Sequence, residues 1–318
     1  MRKALSIDIG GTKIYNALVD ENGQIISEVE KHSTPDTVDE IKSLLKNIIS
    51  QYENDVDVIA IATAGAVNKE NSAVISSTGN LPSEYRNIDF QSLSNKKVFL
   101  ENDANSAAWA EHVLGASKGC SDSVMLTLGT GVGGGIIVND RLLKGKSGAA
   151  GEMHFKLSTE KQRRCTCGAY DCFEAYASGT GLQTTAREKT RLPNITTYDV
   201  IEEVKTVLKL TKIHEGTKSV TERLQLAVED CYIDAFLKWQ NDIIDGCIGL
   251  ADIFDPSVIV LSGSMAQFVD ISYVENAVNR EIVTMPVKVK LASTGNYSGM
   301  IGAALLAMGV GVNNEVSC

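Results

Sequence analysis

Two glycine-rich turns, each following an apolar run, are the first features of this chain that could do chemistry. One comprises Gly10, Gly11, Thr12 and Lys13 after residues 4–9; the other comprises Gly129, Thr130, Gly131, Val132, Gly133 and Gly134 after residues 126–128. Open backbone amides, a hydroxyl and a cation suit phosphate oxygens. Taken alone, either turn is also typical of a tight hairpin. Taken alone, Lys13 is also typical of a solvated charge at a strand edge. The pair indicates a nucleotide's phosphates held between two lobes.

Three cysteines close together indicate a metal site. Cys165, Cys167 and Cys172 fall within one short segment. Thiolates at such spacing suit tetrahedral Zn²⁺. Buried cysteines without a ligand remain the alternative interpretation.

Asp103 is the candidate catalytic residue. It lies at the junction of an apolar strand at 98–101 and a helix predicted from about 103 to 114, at the edge of the sheet where α/β proteins place ligands. A hydroxyl that attacks a γ-phosphate needs a general base within hydrogen-bond reach. Serving only as the N-cap of that helix is the alternative role. Asp8, at the end of the first strand, is expected to orient the water ligands of Mg²⁺ on ATP.

The pattern of elements predicts an α/β protein with mixed sheets. Strands are predicted at 4–9, 14–19 and 25–30, and a helix begins near Thr37, where Glu40 completes a capping box. Strands at 58–62 and 98–101 follow, and the theme repeats from residue 124, with a hairpin turn at Asn139 and Asp140. The prediction continues with a polar, helix-rich insertion at 190–221. It ends with a strand at 258–261 and a helix at 302–307.

Length and charge narrow the class of protein. The 318 residues favour two lobes that share one cleft, and a net charge of −10 argues against a nucleic-acid or acidic-membrane partner. No apolar run reaches the roughly 20 residues that a membrane span needs. The first strand begins almost at Met1, so we expect no signal peptide. Seven cysteines, three of them clustered, indicate a metal site in a reducing compartment and hence a cytoplasmic protein.

These motifs, in this order, resemble the ROK family of sugar kinases and sugar-responsive repressors. The resemblance rests on the turn at 8–13, Glu-Asn-Asp-Ala-Asn at 101–105, the glycine turn at 129–135, Ala-Gly-Glu at 150–152 and the cysteine motif at 165–174. It implies a two-lobed actin-like ATPase (RNase H-like) fold with a central cleft. The expected lobes are residues 1–120, joined by a C-terminal helix at 300–318, and a larger lobe at 121–299. Since ROK repressors add an N-terminal DNA-binding module before the first strand, we expect a kinase.

The resemblance also implies site residues and substrates. Asp103 would be the base, and the family's hexose site maps onto Gly65, Asn80, Asn102, Asp103, Glu152, His154 and Glu174. Gly263 would lie on the adenine side. ATP, Mg²⁺ and structural Zn²⁺ are the expected cofactors, and a homodimer the expected assembly. The expected reaction is phosphorylation of the 6-hydroxyl of N-acetylmannosamine or glucose. Fructose, N-acetylglucosamine and β-glucosides remain alternatives, as does a sugar-sensing regulator without catalysis.

The fourth zinc ligand departs from the family pattern. Related kinases carry Gly-Glu-x-Gly-His, whereas here His154 comes one residue early and Phe155 takes the histidine's place. Either the loop shifts and His154 completes a Cys₃His site, or zinc is lost or held by three thiolates and water. We favour zinc with His154. A structural zinc would brace the loop carrying Glu174, and we expect it to act on sugar binding rather than on phosphate binding.

Overall fold

Two five-stranded mixed sheets with the same strand order form the framework of the protein. The computed structural model describes residues 1–77, 81–210, 219–225 and 230–311. The first sheet contains β1 (Lys3–Ile9), β2 (Lys13–Asp20), β3 (Glu30–Ser33), β4 (Val58–Thr63) and, after a separate pair β5 (Ala66–Val67) and β6 (Val74–Ser76), β7 (Val98–Asn102). Its order is β3-β2-β1-β4-β7. Strand β1 is antiparallel to β2 and parallel to β4, and β4 is parallel to β7.

The second sheet repeats this order. Its strands are β8 (Ser123–Leu128), β9 (Val132–Val138), β10 (Arg141–Leu142), β11 (Val258–Ser262) and β12 (Lys288–Leu291). They are arranged as β10-β9-β8-β11-β12. The predicted hairpin turn is present, with φ of 52° at Asn139 and 56° at Asp140. Positive φ at both central residues matches the twist of the flanking strands. The predicted α/β class with mixed sheets is thus confirmed.

The described part of the chain also contains nine α-helices. They are α1 (Val38–Tyr52), α2 (Asp103–Val113), α3 (Glu174–Ala177), α4 (Gly179–Thr190), α5 (Thr197–Leu210), α6 (Val220–Leu224), α7 (Cys231–Phe254), α8 (Ile271–Glu281) and α9 (Ser298–Ala307). Helix α1 begins as predicted, with the Thr37 side chain accepting from the Glu40 amide. In the predicted insertion, residues 211–218 lie outside the described part. None of the described helices combines the length and apolar character needed to cross a membrane.

The chain divides into two compact units. The first comprises Met1–Met125, Gly134–Glu152 and Ala292–Cys318, and the second comprises Leu126–Gly133 and Met153–Leu291. In the first unit, alternate residues of β1 enter different cores: Leu5 joins the cluster that contains α1, and Ala4 the cluster that contains α9. Helices α2 and α9 pack closely, since a Cβ at Gly302 would lie 1.7 Å from the Ser106 carbonyl oxygen.

The predicted strand at 25–30 is wrong, because β3 is the later segment Glu30–Ser33. Before it, the backbone amide of Leu18 donates to the Ser27 hydroxyl at 2.9 Å rather than to a backbone carbonyl. Only a single bridge joins Ile25 to Val19, and the regular ladder starts where Glu30 pairs with Asn16. The Ser27 side chain therefore interrupts the ladder within the predicted segment, after the Ile26 amide has donated to the Leu18 carbonyl at 2.9 Å.

Candidate active site and metal centre

Two acidic residues of the first unit lie at the carboxyl ends of neighbouring parallel strands. Ile9 pairs with Thr63, and Thr63 pairs with Asn102. Asp8 precedes this row on β1, and Asp103 follows it at the start of α2. In open α/β sheets ligands bind at this edge, outside the carboxyl ends of the strands. The sheet therefore brings Asp8 and Asp103 to one edge, although 94 positions separate them in the sequence.

The N-cap of α2 is Asn102, not Asp103. The Asn102 Oδ1 atom accepts from the Asn105 amide at 3.0 Å, while Asp103 is the first helical residue. Asp103 Oδ1 accepts from the Ala104 amide at 2.8 Å and from Asn102 Nδ2 at 3.1 Å. Within the described part of the chain, the hydrogen bonds to this carboxylate thus go to one oxygen. The capping role that the sequence left open for Asp103 belongs to its neighbour.

Both carboxyl groups titrate well above the usual range for aspartate. Burial raises the pKa of Asp8 to about 7, and the charge of Asp103 adds to the effect. Burial likewise raises the pKa of Asp103 to about 6, with a further rise from Glu152 and an opposing contribution from the hydrogen bonds of Ala104 and Asn102. A carboxylate with a pKa just below neutrality is ionised at pH 7 yet still basic, which suits a general base.

A buried carboxylate fixes the junction between β7 and α2. Glu101 is only 1% exposed, and Lys144 Nζ donates to its two oxygens at 2.6 and 2.8 Å. It also accepts from Asn71 Nδ2 at 2.8 Å, Asn105 Nδ2 at 3.1 Å and the Asn102 amide at 2.9 Å. Sequence analysis gave Glu101 no role; its place in the Glu-Asn-Asp motif was the available signal.

Three of the predicted sugar-binding residues lie around this junction. Gly65 has a φ of 95°, and a Cβ there would lie 2.3 Å from the Ser76 carbonyl oxygen, so the position requires glycine. The Gly65 carbonyl accepts from Asn102 Nδ2 at 3.0 Å. Glu152 is exposed and close enough to Asp103 to raise its pKa. Asn80 lies outside the described residues.

The first glycine turn joins β1 to β2. The Gly10 amide donates to the Lys13 carbonyl at 3.0 Å, and the Gly10 carbonyl accepts from the Thr34 hydroxyl at 2.7 Å. Thr12 and Lys13 are exposed at the tip, next to the partly exposed Gly11. These side chains are accessible to an anion, and an exposed Lys13 at the start of β2 fits both interpretations that the sequence left open.

The second glycine turn, which belongs to the second unit, is held by several internal hydrogen bonds. The Gly129 amide donates to the Gly131 carbonyl at 3.0 Å, and the Gly133 amide to the Thr127 hydroxyl at 3.1 Å. Gly134 continues into β9, and Thr130 is exposed at the tip. Gly263 packs below the turn, with a φ of 88° and a Cβ position 2.3 Å from the Leu128 carbonyl oxygen. Thr130 is therefore the most accessible residue of this turn.

A cluster of four metal-ligand side chains lies elsewhere in the second unit. One nitrogen of His154 and the sulfur atoms of Cys165, Cys167 and Cys172 all lie within 4.8 Å of one another. Cys165 Sγ is 3.6 Å from His154 Nδ1, and the Cys167 and Cys172 sulfurs are 3.5 Å apart. Zinc–sulfur bonds of about 2.3 Å give a tetrahedron with edges of roughly 3.7 Å. The donor types and their spacing fit Zn²⁺.

The structure brings His154, rather than Phe155, to the cysteines. Phe155 stacks on Phe173 with ring centroids 5.0 Å apart and an interplanar angle of 15°. The segment from Gly151 to Phe155 forms neither helix nor strand. Because its backbone is irregular, it accommodates the one-residue displacement of the histidine that alternation along a strand would have opposed.

The two α/β units have the actin-like ATPase fold, with an acidic pair at a sheet edge and two glycine turns. A model of the ROK family matches residues 4–310. The chain belongs to the ROK family, as a sugar kinase homologous to glucokinases and N-acetylmannosamine kinases.

Relatives match over nearly their whole length. A glucokinase of Streptomyces coelicolor is 31% identical, covering 96% of this chain and 98% of the relative. An N-acetylmannosamine kinase of Yersinia pseudotuberculosis is 30% identical, covering 96% and 99%. Among solved structures, a ROK family glucokinase from Streptomyces griseus in complex with glucose and AMPPNP is 29% identical, with a TM-score of 0.74 and coverage of 96% and 99%.

Proposed function

We propose that this protein transfers the γ-phosphoryl group of ATP to the 6-hydroxyl of a hexose or N-acetylhexosamine. The observation that carries the proposal is the Asp103 carboxylate, oriented by Asn102 and the Ala104 amide and with a pKa raised to about 6. The homologous glucokinase with glucose and AMPPNP bound supports the same reaction class.

In this mechanism Asp103 acts as the general base. It accepts the proton of the 6-hydroxyl while that oxygen forms a bond to the γ-phosphorus. The bond from the γ-phosphorus to the bridging oxygen of the β-phosphate breaks, and ADP leaves with the electron pair. The Asn102 Nδ2 atom donates to Asp103 Oδ1 at 3.1 Å and so holds the carboxylate. The base is thus oriented before the substrate arrives.

The two glycine turns are proposed to bind the nucleotide. Gly10, Gly11, Thr12 and Lys13 form one phosphate contact, and Thr130 and Gly131, flanked by Gly133 and Gly134, form the other; Gly263 lies at the end of β11 as the adenine-side residue. Asp8 fits a role in holding Mg²⁺ through its water ligands, because its carboxylate lies at the ligand edge of the sheet beside α9. The ion would neutralise phosphate charge during transfer.

The sugar is proposed to bind through Gly65, Asn80, Asn102, Glu152, His154 and Glu174. Carboxylates accept hydrogen bonds from hydroxyls, and amides can both donate and accept. Glucose and N-acetylmannosamine are the leading substrates, because the relatives at 30–31% identity include a glucokinase and an N-acetylmannosamine kinase. Zinc, held by His154, Cys165, Cys167 and Cys172, would have a structural role.

The test is a coupled assay of ADP formation with Mg·ATP and a panel of hexoses and N-acetylhexosamines, with ³¹P NMR to locate the phosphate on the product. We expect ADP formation that depends on sugar, with glucose or N-acetylmannosamine giving the highest kcat/KM. Binding of sugar without sugar-dependent ADP formation would favour the alternative, a sugar-sensing regulator. Phosphate on the anomeric oxygen would contradict the assigned hydroxyl.

A further inference from the structure

The side chain of Glu174 connects two parts of the second unit to which the sequence gave separate roles. Glu174 begins α3, two residues after Cys172. Its Oε2 atom accepts from the Val132 amide in the glycine turn at 3.0 Å. Its Oε1 atom accepts from the Thr166 hydroxyl in the metal loop, the segment 154–172 that carries the four ligand side chains. The same Oε1 atom lies 3.4 Å from Cys165 Sγ. One carboxylate thus bridges the glycine turn and the metal loop.

The shape of the turn depends on this contact. A Cβ at Gly131 would lie 2.5 Å from Glu174 Oε2, so the close approach of the carboxylate requires glycine there. The start of α4 also holds the turn, by donating to carbonyl groups of the turn. The Gly179 amide donates to the Gly129 carbonyl at 2.8 Å, and the Thr180 hydroxyl donates to the Thr130 carbonyl at 2.8 Å. With its carbonyls fixed by α4 and the Val132 amide fixed by Glu174, the tip of the turn is held in one arrangement.

We propose that Glu174 is a positioning residue that couples the metal loop to nucleotide binding. Through it, the metal loop sets the conformation of the turn at 129–133 and therefore the affinity for nucleotide phosphates. The inference rests on the proposed phosphate role of that turn. It gives Glu174 a second role beside the proposed sugar contact. It also differs from the sequence-based expectation, in which zinc acts on sugar binding and not on phosphate binding.

Thr166 is the contact through which the coupling can be tested. Zinc binds cysteine as a thiolate, which has no proton to donate, so Cys165 cannot donate to Glu174 in the metal-loaded loop. The Thr166 hydroxyl carries its proton whether or not metal is bound, and the metal acts on the bridge by holding the loop that carries Thr166. Thr166 is exposed and belongs to neither the metal ligands nor the proposed substrate-binding residues. Its substitution therefore addresses the bridge alone.

The first experiment compares Thr166→Val with Thr166→Ser. MgADP binding is measured by calorimetry without sugar, and zinc content is measured on the same samples. Loss of a hydrogen bond to a charged group weakens the structure it supports by about one to two orders of magnitude in an equilibrium constant, and the exposure of Thr166 places its bond at the low end. We expect Thr166→Val to raise the Kd for MgADP about 5- to 10-fold with zinc retained. Thr166→Ser and Thr159→Val, an exposed threonine of the same loop, should stay within about 2-fold.

The second experiment measures amide hydrogen exchange of residues 129–133 in the unliganded protein. Thr166→Val, and wild-type protein treated with a zinc chelator, should exchange faster there, whereas Thr166→Ser should not. Unchanged MgADP affinity and unchanged exchange in Thr166→Val would overturn the inference. The two proposals can fail separately. If wild-type protein binds MgADP and Thr166→Val shows these effects, but wild-type protein phosphorylates no sugar, the kinase proposal is refuted and the coupling stands.

Discussion

Asp8 and Asp103 give the activity a pH dependence that can be worked out from their raised pKa values. The base must be ionised to accept a proton, and the free protein has pKa values of about 7 for Asp8 and about 6 for Asp103. We therefore expect kcat/KM for the sugar to fall as the pH drops below about 7, and more steeply below about 6, where both carboxyls become protonated. A pH profile of kcat/KM from 5 to 9 measures this.

The direction of the pH effect separates this mechanism from alternatives. Above pH 8 both carboxylates are ionised, so kcat/KM should be constant until other groups titrate. Circular dichroism at each pH controls for unfolding. A profile that stays flat down to pH 5 in folded protein would exclude an essential base with this pKa.

At the scale of elements, the ion pair of Glu101 and Lys144 is expected to stabilise the junction that carries Asp103. Lys144→Met leaves the Glu101 carboxylate buried without its cation, and breaking a buried pair from one side costs about 3–5 kcal/mol. We expect a loss of this size in the free energy of unfolding, measured by urea denaturation. The matched control is Lys146→Met, two residues away and exposed, which should change it by less than about 0.5 kcal/mol.

The double variant tests the cause of that loss. In Lys144→Met combined with Glu101→Gln, no unpaired charge remains, so part of the stability should return. If the loss of unfolding free energy in the double variant instead equals the sum of the losses in Lys144→Met and Glu101→Gln measured separately, the ion pair is not the origin of the effect.

The metal loop gives a second prediction at this scale. Protein purified without added zinc should contain close to one zinc per chain, because His154 and the three cysteines supply four ligands. His154→Ala should lower both the zinc content and the sugar affinity, as measured by elemental analysis and calorimetry. Cys231→Ser, which alters an exposed cysteine outside the cluster, should retain zinc. Full zinc occupancy in His154→Ala would show that the histidine is not a ligand.

At the scale of the whole molecule, local sequence signals predicted the sheets, but they did not predict the contacts between distant residues. Most strands followed from short apolar runs. The two similar glycine turns indicated that the strand–turn theme repeats, whereas the strand order came from the structure. β3 was misplaced because the hydrogen bond between Ser27 and the Leu18 amide leaves no periodic pattern. Such a contact depends on the position of one hydroxyl in the folded chain.

The position of a candidate residue was predictable where it lies at one element boundary, as for Asp103 between β7 and α2. The bridge of Glu174 to Val132 and the pair of Glu101 with Lys144 join residues 42 and 43 positions apart. Without an alignment, a single sequence carries no record of which distant residues meet. The shift from Phe155 to His154 depended on irregular backbone between Gly151 and Phe155, which periodicity does not predict.

The most direct test of the central claim is the sugar-dependent ADP formation of Asp103→Asn, with sugar binding measured by calorimetry on the same protein. Asparagine keeps the shape of the side chain but cannot serve as the base. Asp55→Asn, at an exposed aspartate that is not next to any proposed site residue, is the control and should behave as wild type. We predict that Asp103→Asn binds sugar within a few-fold of wild type and turns over about 10²–10⁴-fold more slowly. Turnover within about 2-fold of wild type would contradict the assignment of Asp103 as the general base.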